Sequence, residues 1–131
     1  MAAPLQYRLI RAVEAPKYRC MLLTFLETDL RGQAKVQRLE QELGQFAEGV
    51  TTERIVVDFR GVEMMPTAVL GILLLLVRQA SEKGVKVRFC RMEANVRKAF
   101  ELIAGRRLVD IHGDRKQALT TPWDRKWYWP F

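Results

Sequence analysis

The chain is poor in the residues that enzymes put to work. Among 131 residues it has a single histidine, His112, and a single serine, Ser81. Ser81 lies in "RQASEKG", towards the end of a helix-like segment and far from any strained turn. A Ser-His-acid triad needs a positioned nucleophile and base, and this inventory excludes one. The two cysteines, Cys20 and Cys90, sit in strand-like apolar runs. A zinc site would need both of them to converge with His112 without any CxxC or HxxxH spacing, so two buried free thiols of a reducing cytoplasm are expected, and no metal. The glycine patterns that cradle nucleotide phosphates are missing, so no cofactor is expected. No two acidic residues are adjacent, so Asp58 lacks the acidic pair that would hold Mg²⁺ beside a phosphoryl-accepting aspartate; it reads as a strand-end residue capping a turn. Long hydrophobic runs are missing too. The longest, Ala68 to Val77, is half of the roughly 20 residues that a membrane span requires, and no apolar signal-peptide segment stands near the N-terminus.

What is present is an ordinary globular composition, 49% hydrophobic and 28% charged, in a length that suits one domain. The formal charge is +7. Residues 1–50 hold seven basic and six acidic residues, whereas residues 51–131 hold fifteen and nine. The basic residues come singly or in pairs, as in Arg97-Lys98, Arg106-Arg107 and Arg115-Lys116, without a nucleic-acid motif. They read as a solvated surface that favours an acidic partner.

Two strands are expected at 7–14 and 18–25, joined by a turn at Ala15-Pro16-Lys17. Apolar steps of three and four predict an amphipathic helix from Gln33 to Ala47. "RIVVDF", 54–59, reads as a central strand buried on both faces. A long helix follows from Thr67 to Lys83, stopped at Gly84. At 100° per residue, Leu70, Leu73, Leu74, Val77, Ala80 and Ser81 gather towards the sheet. Ile72 and Leu75 fall opposite with Gln79 and Glu82, and Leu76 lies on the flank. "VKVRFC", 85–90, reads as an alternating strand, and "NVRKAFELI", 95–103, as a helix burying Val96, Ala99, Phe100 and Ile103. A strand at 108–111 and a helix at 114–119, capped by Asp114, complete the pattern. The order β-β-α-β-α-β-α-β-α predicts an α/β fold: a mixed sheet with an N-terminal antiparallel hairpin, covered by four helices. Residues 1–119 form the domain. The tail 120–131 holds all three tryptophans with Tyr128 and Phe131, and rings of that size are expected to dock. Either the chain's own surface or a second copy, in a homodimer, would receive them.

Thr67 is the one hydroxyl at the mouth of the greasy segment, directly after Pro66. It suits a helix N-cap. It suits equally a phosphoacceptor, because a helix N-terminus stabilises anions.

In "RIVVDFRGVEMMPTAVLGILLLLVRQASEKGVKVRFCRMEANVRKAFELIAGRRLVDIHGDRKQAL", the chain resembles a STAS domain of the anti-sigma factor antagonist kind. Asp58, Gly61-Val62, Leu70-Gly71, Gly84, Val96-Arg97 and Leu108 stand at matching places. The resemblance implies a non-catalytic, protein-binding regulatory module. It places Thr67 at the family's phosphorylated Ser/Thr. Pro66 stands where the family has Asp, Ala68 replaces a second hydroxyl, and Val69 replaces a glycine. The implied partner is an anti-sigma factor of the serine-kinase type, bound through Val62, Glu63, Met64, Met65, Pro66 and Ala68, with Ile72 and Leu75 of the following helix. The alternatives are a STAS-like subunit of a membrane lipid-transport complex and a homo-oligomeric scaffold, neither with a phosphorylation switch.

Overall fold

The structure, a computed structural model, describes residues 6–104 and 110–123. Gly105, Arg106, Arg107 and Leu108, and in the tail Trp127, Tyr128, Trp129 and Phe131, lie outside the described residues. The elements are β1 (Ile10–Ala15), β2 (Cys20–Phe25), α1 (Gln33–Gly49), β3 (Arg54–Asp58), α2 (Thr67–Glu82), β4 (Lys86–Cys90), α3 (Ala94–Ala104), β5 (Asp110–His112) and α4 (Arg115–Thr120), with a short 3-10 turn, Pro16–Tyr18, inside the first hairpin. This is the expected order. Pro16 begins the turn and Arg19 closes it in the left-handed region at φ 52°.

The five strands stand in the sheet in their chain order. β1 pairs antiparallel with β2, and every later pair is parallel. Parallel crossovers are right-handed. Strands added always to the same side therefore place α1, α2 and α3 on one face. The main core lies there, built from Leu39, Leu43 and Phe46 of α1, the inner side of α2, Phe100 of α3, and Leu23, Ile55, Val57 and Phe89 of the sheet. Four rings stack through it: Phe25 on Phe59 at 5.3 Å, Phe59 on Phe89 at 5.1 Å, and Phe89 on Phe100 at 5.2 Å. The opposite face is covered by α4 and Trp123, over a smaller cluster of Cys20, Val56, Cys90 and Ala118. Both cysteines are free and buried.

Several expectations need correction. The first strand begins at Ile10, not residue 7, because the Arg8, Leu9 and Ile10 N–H groups donate to the Glu42 carboxylate at 3.0–3.3 Å. Burial opposes ionisation of Glu42 most, and these donors with Arg38 outweigh it, holding its pKa below the ordinary value. β4 does not alternate between core and solvent. Val87 and Phe89 enter the main core, while Arg88 and Cys90 are buried on the other face. In α3, Ala104 rather than Ile103 completes the buried stripe; Ile103 is 47% exposed. In α2, Leu76 is buried rather than on the flank, and Leu74 and Ser81 are only partly covered. The helix is flanked by α1 and α3, so its buried arc is wider than one sheet would require. α2 ends as expected: Gly84, at φ 76°, donates to Ser81 O and Val85 donates to Ala80 O. Among the described residues no helix is long and apolar enough to cross a membrane.

Candidate functional site

The parallel strands end at one edge of the sheet, and in open α/β sheets that edge is where ligands bind. Two loops meet there. After Asp58 the chain turns at Gly61, at φ 82°, a conformation that suits glycine. Val62 N–H donates to Phe59 O, and the Val62 side chain is buried. Val62 therefore supports the loop from beneath; as the chain stands it offers no surface to a partner. Beyond it, Glu63 and Met64 donate to Thr28 O at 2.9 and 3.2 Å, and Leu30 donates to Met64 O at 2.9 Å. These bonds tie residues 63–64 to the loop after β2.

Asp58 holds the loop's base. Its buried carboxylate accepts from Arg60 N–H at 3.0 Å, from Arg91 Nε at 2.9 Å, from Arg91 Nη2, and from Arg115 Nε at 2.9 Å. The Arg60 bond is the turn cap that the sequence suggests; the two arginines are additional. Burial opposes the charge most strongly, but Arg91, the Arg60 amide and Arg115 overcome it and keep the pKa below the ordinary carboxylate value. One residue thus joins the ends of β3 and β4 to the start of α4.

The loop leads into α2 through Pro66, which occupies the N-cap position with extended backbone. Thr67 is the first helical residue and not the cap, because Pro66 O already receives Val69 N–H at 3.0 Å. No side-chain hydrogen bond caps this end. Thr67 and Ala68 are exposed, as are Glu63 and Met64, while Met65 and Pro66 are half-buried. Leu75 is 50% exposed. Ile72, expected beside it on the open side, is partly buried against the main core.

Two features add to the expected site. Gly71 is exposed one turn beyond Thr67, and a Cβ built there would meet nothing within 4 Å. Glycine inside a helix costs about 1 kcal/mol relative to alanine, and among the described residues no packing contact requires it. Gly44 of α1 also has nothing within 4 Å of a built Cβ, but it is half-buried and its neighbours along the helix include Glu40, Gln41 and Glu48, whereas those of Gly71 include Thr67, Ala68 and Leu75. Beside this strip lies a groove of about 200 Å³ lined by Met64, Met65 and Pro66 of the loop and Asn95, Val96 and Ala99 of α3, with Arg31 also in its lining. Such a groove needs long-range folding to appear, and no local motif announces it.

His112 Nε2 lies 3.1 Å from an Asp110 oxygen, near enough for an ion pair but without a hydrogen bond. Cys90 and His112 are register partners at the ends of β4 and β5, while Cys20 begins β2 beside Arg54, at the opposite end of the parallel strands. Among the described residues no group of three His, Cys, Asp or Glu could hold a metal ion.

A five-stranded mixed sheet opening with an antiparallel hairpin, with an exposed hydroxyl at the start of its long helix, defines a small class of α/β modules. The STAS domain family model matches residues 7–118, and the chain belongs to that family. Among solved structures it is similar to an anti-sigma-factor antagonist (STAS) domain protein from Planctomyces limnophilus, at 13% identity and TM-score 0.72, covering 84% of this chain and 94% of that one. It is similar to Moorella thermoacetica RsbS, solved as a serine-to-glutamate variant, at 17% identity and TM-score 0.68, over 84% and 91% of the two chains. It also resembles the Bacillus cell fate determinant SpoIIAA in its phosphorylated form, at 12% identity and TM-score 0.58, over 83% and 95%. These likenesses establish the fold. No curated protein is significantly similar to the chain in sequence.

Proposed function

We propose that this chain is a non-catalytic regulatory module of the cytoplasm that binds an anti-sigma factor of the serine-kinase type and so releases a sigma factor. The binding surface is the strip of Thr67, Ala68, Gly71 and Leu75 with the 63–66 loop beside it. The observation that carries this reading is Gly71: an exposed helical glycine, with no packing contact from the described residues, between a small-residue turn and a half-exposed leucine. A partner's backbone could approach the helix closely there. Thr67 is the phosphoacceptor that switches the contact. A phosphate at the first helical position would add about −1.5 to −2 charges beside the free N–H groups of the helix, inside the docking strip. Pro66 presents the hydroxyl in place of the family's aspartate. Two of the similar structures are of anti-sigma factor antagonists, and one of these proteins was also solved phosphorylated; SLC26A9, similar over 86% of this chain, gives weaker support to the transport alternative.

The test is capture from the native cytosol with wild type and with Gly71→Arg. Arginine favours an exposed helix over glycine by up to about 1 kcal/mol, so lost binding cannot be lost folding. The expected result is a kinase-type anti-sigma factor held by wild type and absent with Gly71→Arg. A transporter ATPase in its place would reassign the module to a lipid-transport complex, and equal capture by both chains would remove the strip as the contact.

A further inference from the structure

β1 is an edge strand, and among the described residues it has a strand partner on one side only. Its hydrogen-bonding phase follows from the register. Ile10 stands opposite Phe25, so Leu9 stands opposite Leu26, and Leu26 N–H donates to Leu9 O at 2.9 Å. Bonded and non-bonded pairs alternate along an antiparallel ladder. Arg11, Val13 and Ala15 therefore bond to β2, while the backbone groups of Ile10, Ala12 and Glu14 point to the open edge. Ile10 N–H fits this phase, since it turns away from β2 to the Glu42 carboxylate at 3.3 Å.

Open edges are ordinarily guarded by proline, lysine, a bulge or a cover. The strand itself, "IRAVEA", has no proline and no lysine, and its register runs unbroken over six residues. Its two exposed charges, Arg11 and Glu14, are of opposite sign and fall on opposite faces. The free groups are bounded at both ends. Glu42 occupies Ile10 N–H, and Pro16, directly after the strand, has no N–H to give. Between them Ala12 and Glu14 each keep one N–H and one C=O. Ala12 packs against the main core, so Val13 faces the other side of the sheet, where it is 44% exposed.

We propose that a second copy of this chain fills the edge, the two β1 strands pairing antiparallel about a two-fold axis and joining two five-stranded sheets into one. The occupant is a second copy because β1 is complementary to itself. With Val13 on the axis, Val13 meets Val13 of the second copy, a β-branched cross-strand pair. Ala12 then stands opposite Glu14 of the second copy, and Glu14 opposite Ala12, so the free groups of both residues are all used. Ile10 falls opposite Pro16, and neither has an N–H to offer. The next allowed register, with Ala12 on the axis, sets Val13 against Arg11 and Ile10 against Glu14, whose carbonyl would find Ile10 N–H already taken by Glu42. A single strand pair belongs with the small interfaces, below about 1,200 Å², so the dimer forms and separates with concentration. The joint is independent of the Thr67 contact.

The experiment measures molar mass by light scattering from about 1 μM to about 1 mM protein, for wild type, Ala12→Pro and Val13→Lys. Proline removes an N–H that β2 does not use, and lysine sets like charges face to face on the axis. The expected result is a wild-type mass that rises towards twice the monomer, with dimerisation weakened at least about tenfold in both variants. Val13→Lys keeps the test readable if Ala12→Pro fails to fold. Oxidation tests the register. Cα atoms of a non-bonded antiparallel pair lie about 4.5 Å apart, within disulfide reach, and the native Cys20 and Cys90 are buried. Val13→Cys should therefore cross-link two chains at least about tenfold faster than Arg11→Cys, which stands opposite Ala15. A monomer at every concentration would overturn the proposal. So would a dimer that Val13→Lys leaves unchanged, or equal cross-linking by the two cysteine variants.

Discussion

The Asp58 carboxylate is buried and yet charged because two guanidiniums and a backbone N–H replace the water it has lost. Removing one partner of a buried pair typically costs about 3–5 kcal/mol. Arg91 and Arg115 keep some contact with water, so Asp58→Asn is expected to cost about 2–4 kcal/mol by denaturant titration. Its folded pKa lies below the unfolded one. The stabilisation is therefore complete above the ordinary aspartate pKa, about 4, and is lost as pH falls through the folded value. Unfolding curves between pH 6 and pH 2 should show a flatter acid limb for Asp58→Asn than for wild type; an unchanged limb would mean that the carboxylate is not the titrating group. Asp58 was legible as a turn-capping residue. Its arginines were not, because Arg91 and Arg115 lie 33 and 57 residues away along the chain, and one sequence carries no signal for such a meeting. Glu42 did leave a trace. It falls on the apolar stripe of α1 between Leu39 and Phe46, where a charge needs a partner.

At the scale of the element, α2 carries the argument. Its existence and its glycine stop follow from local pattern, but its buried arc depends on α1 and α3 as well as on the sheet. Helical periodicity measures angle and not neighbours, so it set Ile72 in the open with Leu75. The structure separates the pair. Ile72→Lys forces a charge against the core and should cost about 2 kcal/mol or more. Leu75→Lys should change stability by no more than about 0.5 kcal/mol while weakening partner capture. Thermal unfolding of the two variants checks this, and equal destabilisation by both would place Leu75 in the core and withdraw it from the docking strip. The same limit explains β4: Arg88 in "VKVRFC" looks like a solvent-facing charge, and only α4 and Trp123, supplied from the far end of the chain, bury it.

For the whole molecule, the alternation of strands and helices was enough to read the fold, because parallel crossovers of fixed hand leave few arrangements. The candidate site was legible as the hydroxyl before α2 and the loop in front of it, but which of its residues are exposed was not. The groove depends on how distant segments meet. The two thiols give a readout of the assembled sheet. Burial pushes the Cys20 pKa up to about 11 and that of Cys90 to about 12. Both face the small cluster under α4 and Trp123. A thiol reagent at neutral pH should therefore react at a rate that tracks unfolding of this face, and accelerate in parallel with denaturant. Fast labelling of the native protein would show that α4 and Trp123 do not seal it.

The central claim is that Thr67 sits inside a protein contact as a free switch rather than as a structural cap. The most direct measurement is the dissociation constant of the captured partner for wild type, Thr67→Ala and Thr67→Glu. With no cap bond to lose, Thr67→Ala should bind within about threefold of wild type and keep its stability within about 0.5 kcal/mol. Thr67→Glu should bind at least about tenfold more weakly, a difference of ~1.4 kcal/mol. Equal affinity for the alanine and glutamate variants would contradict the switch.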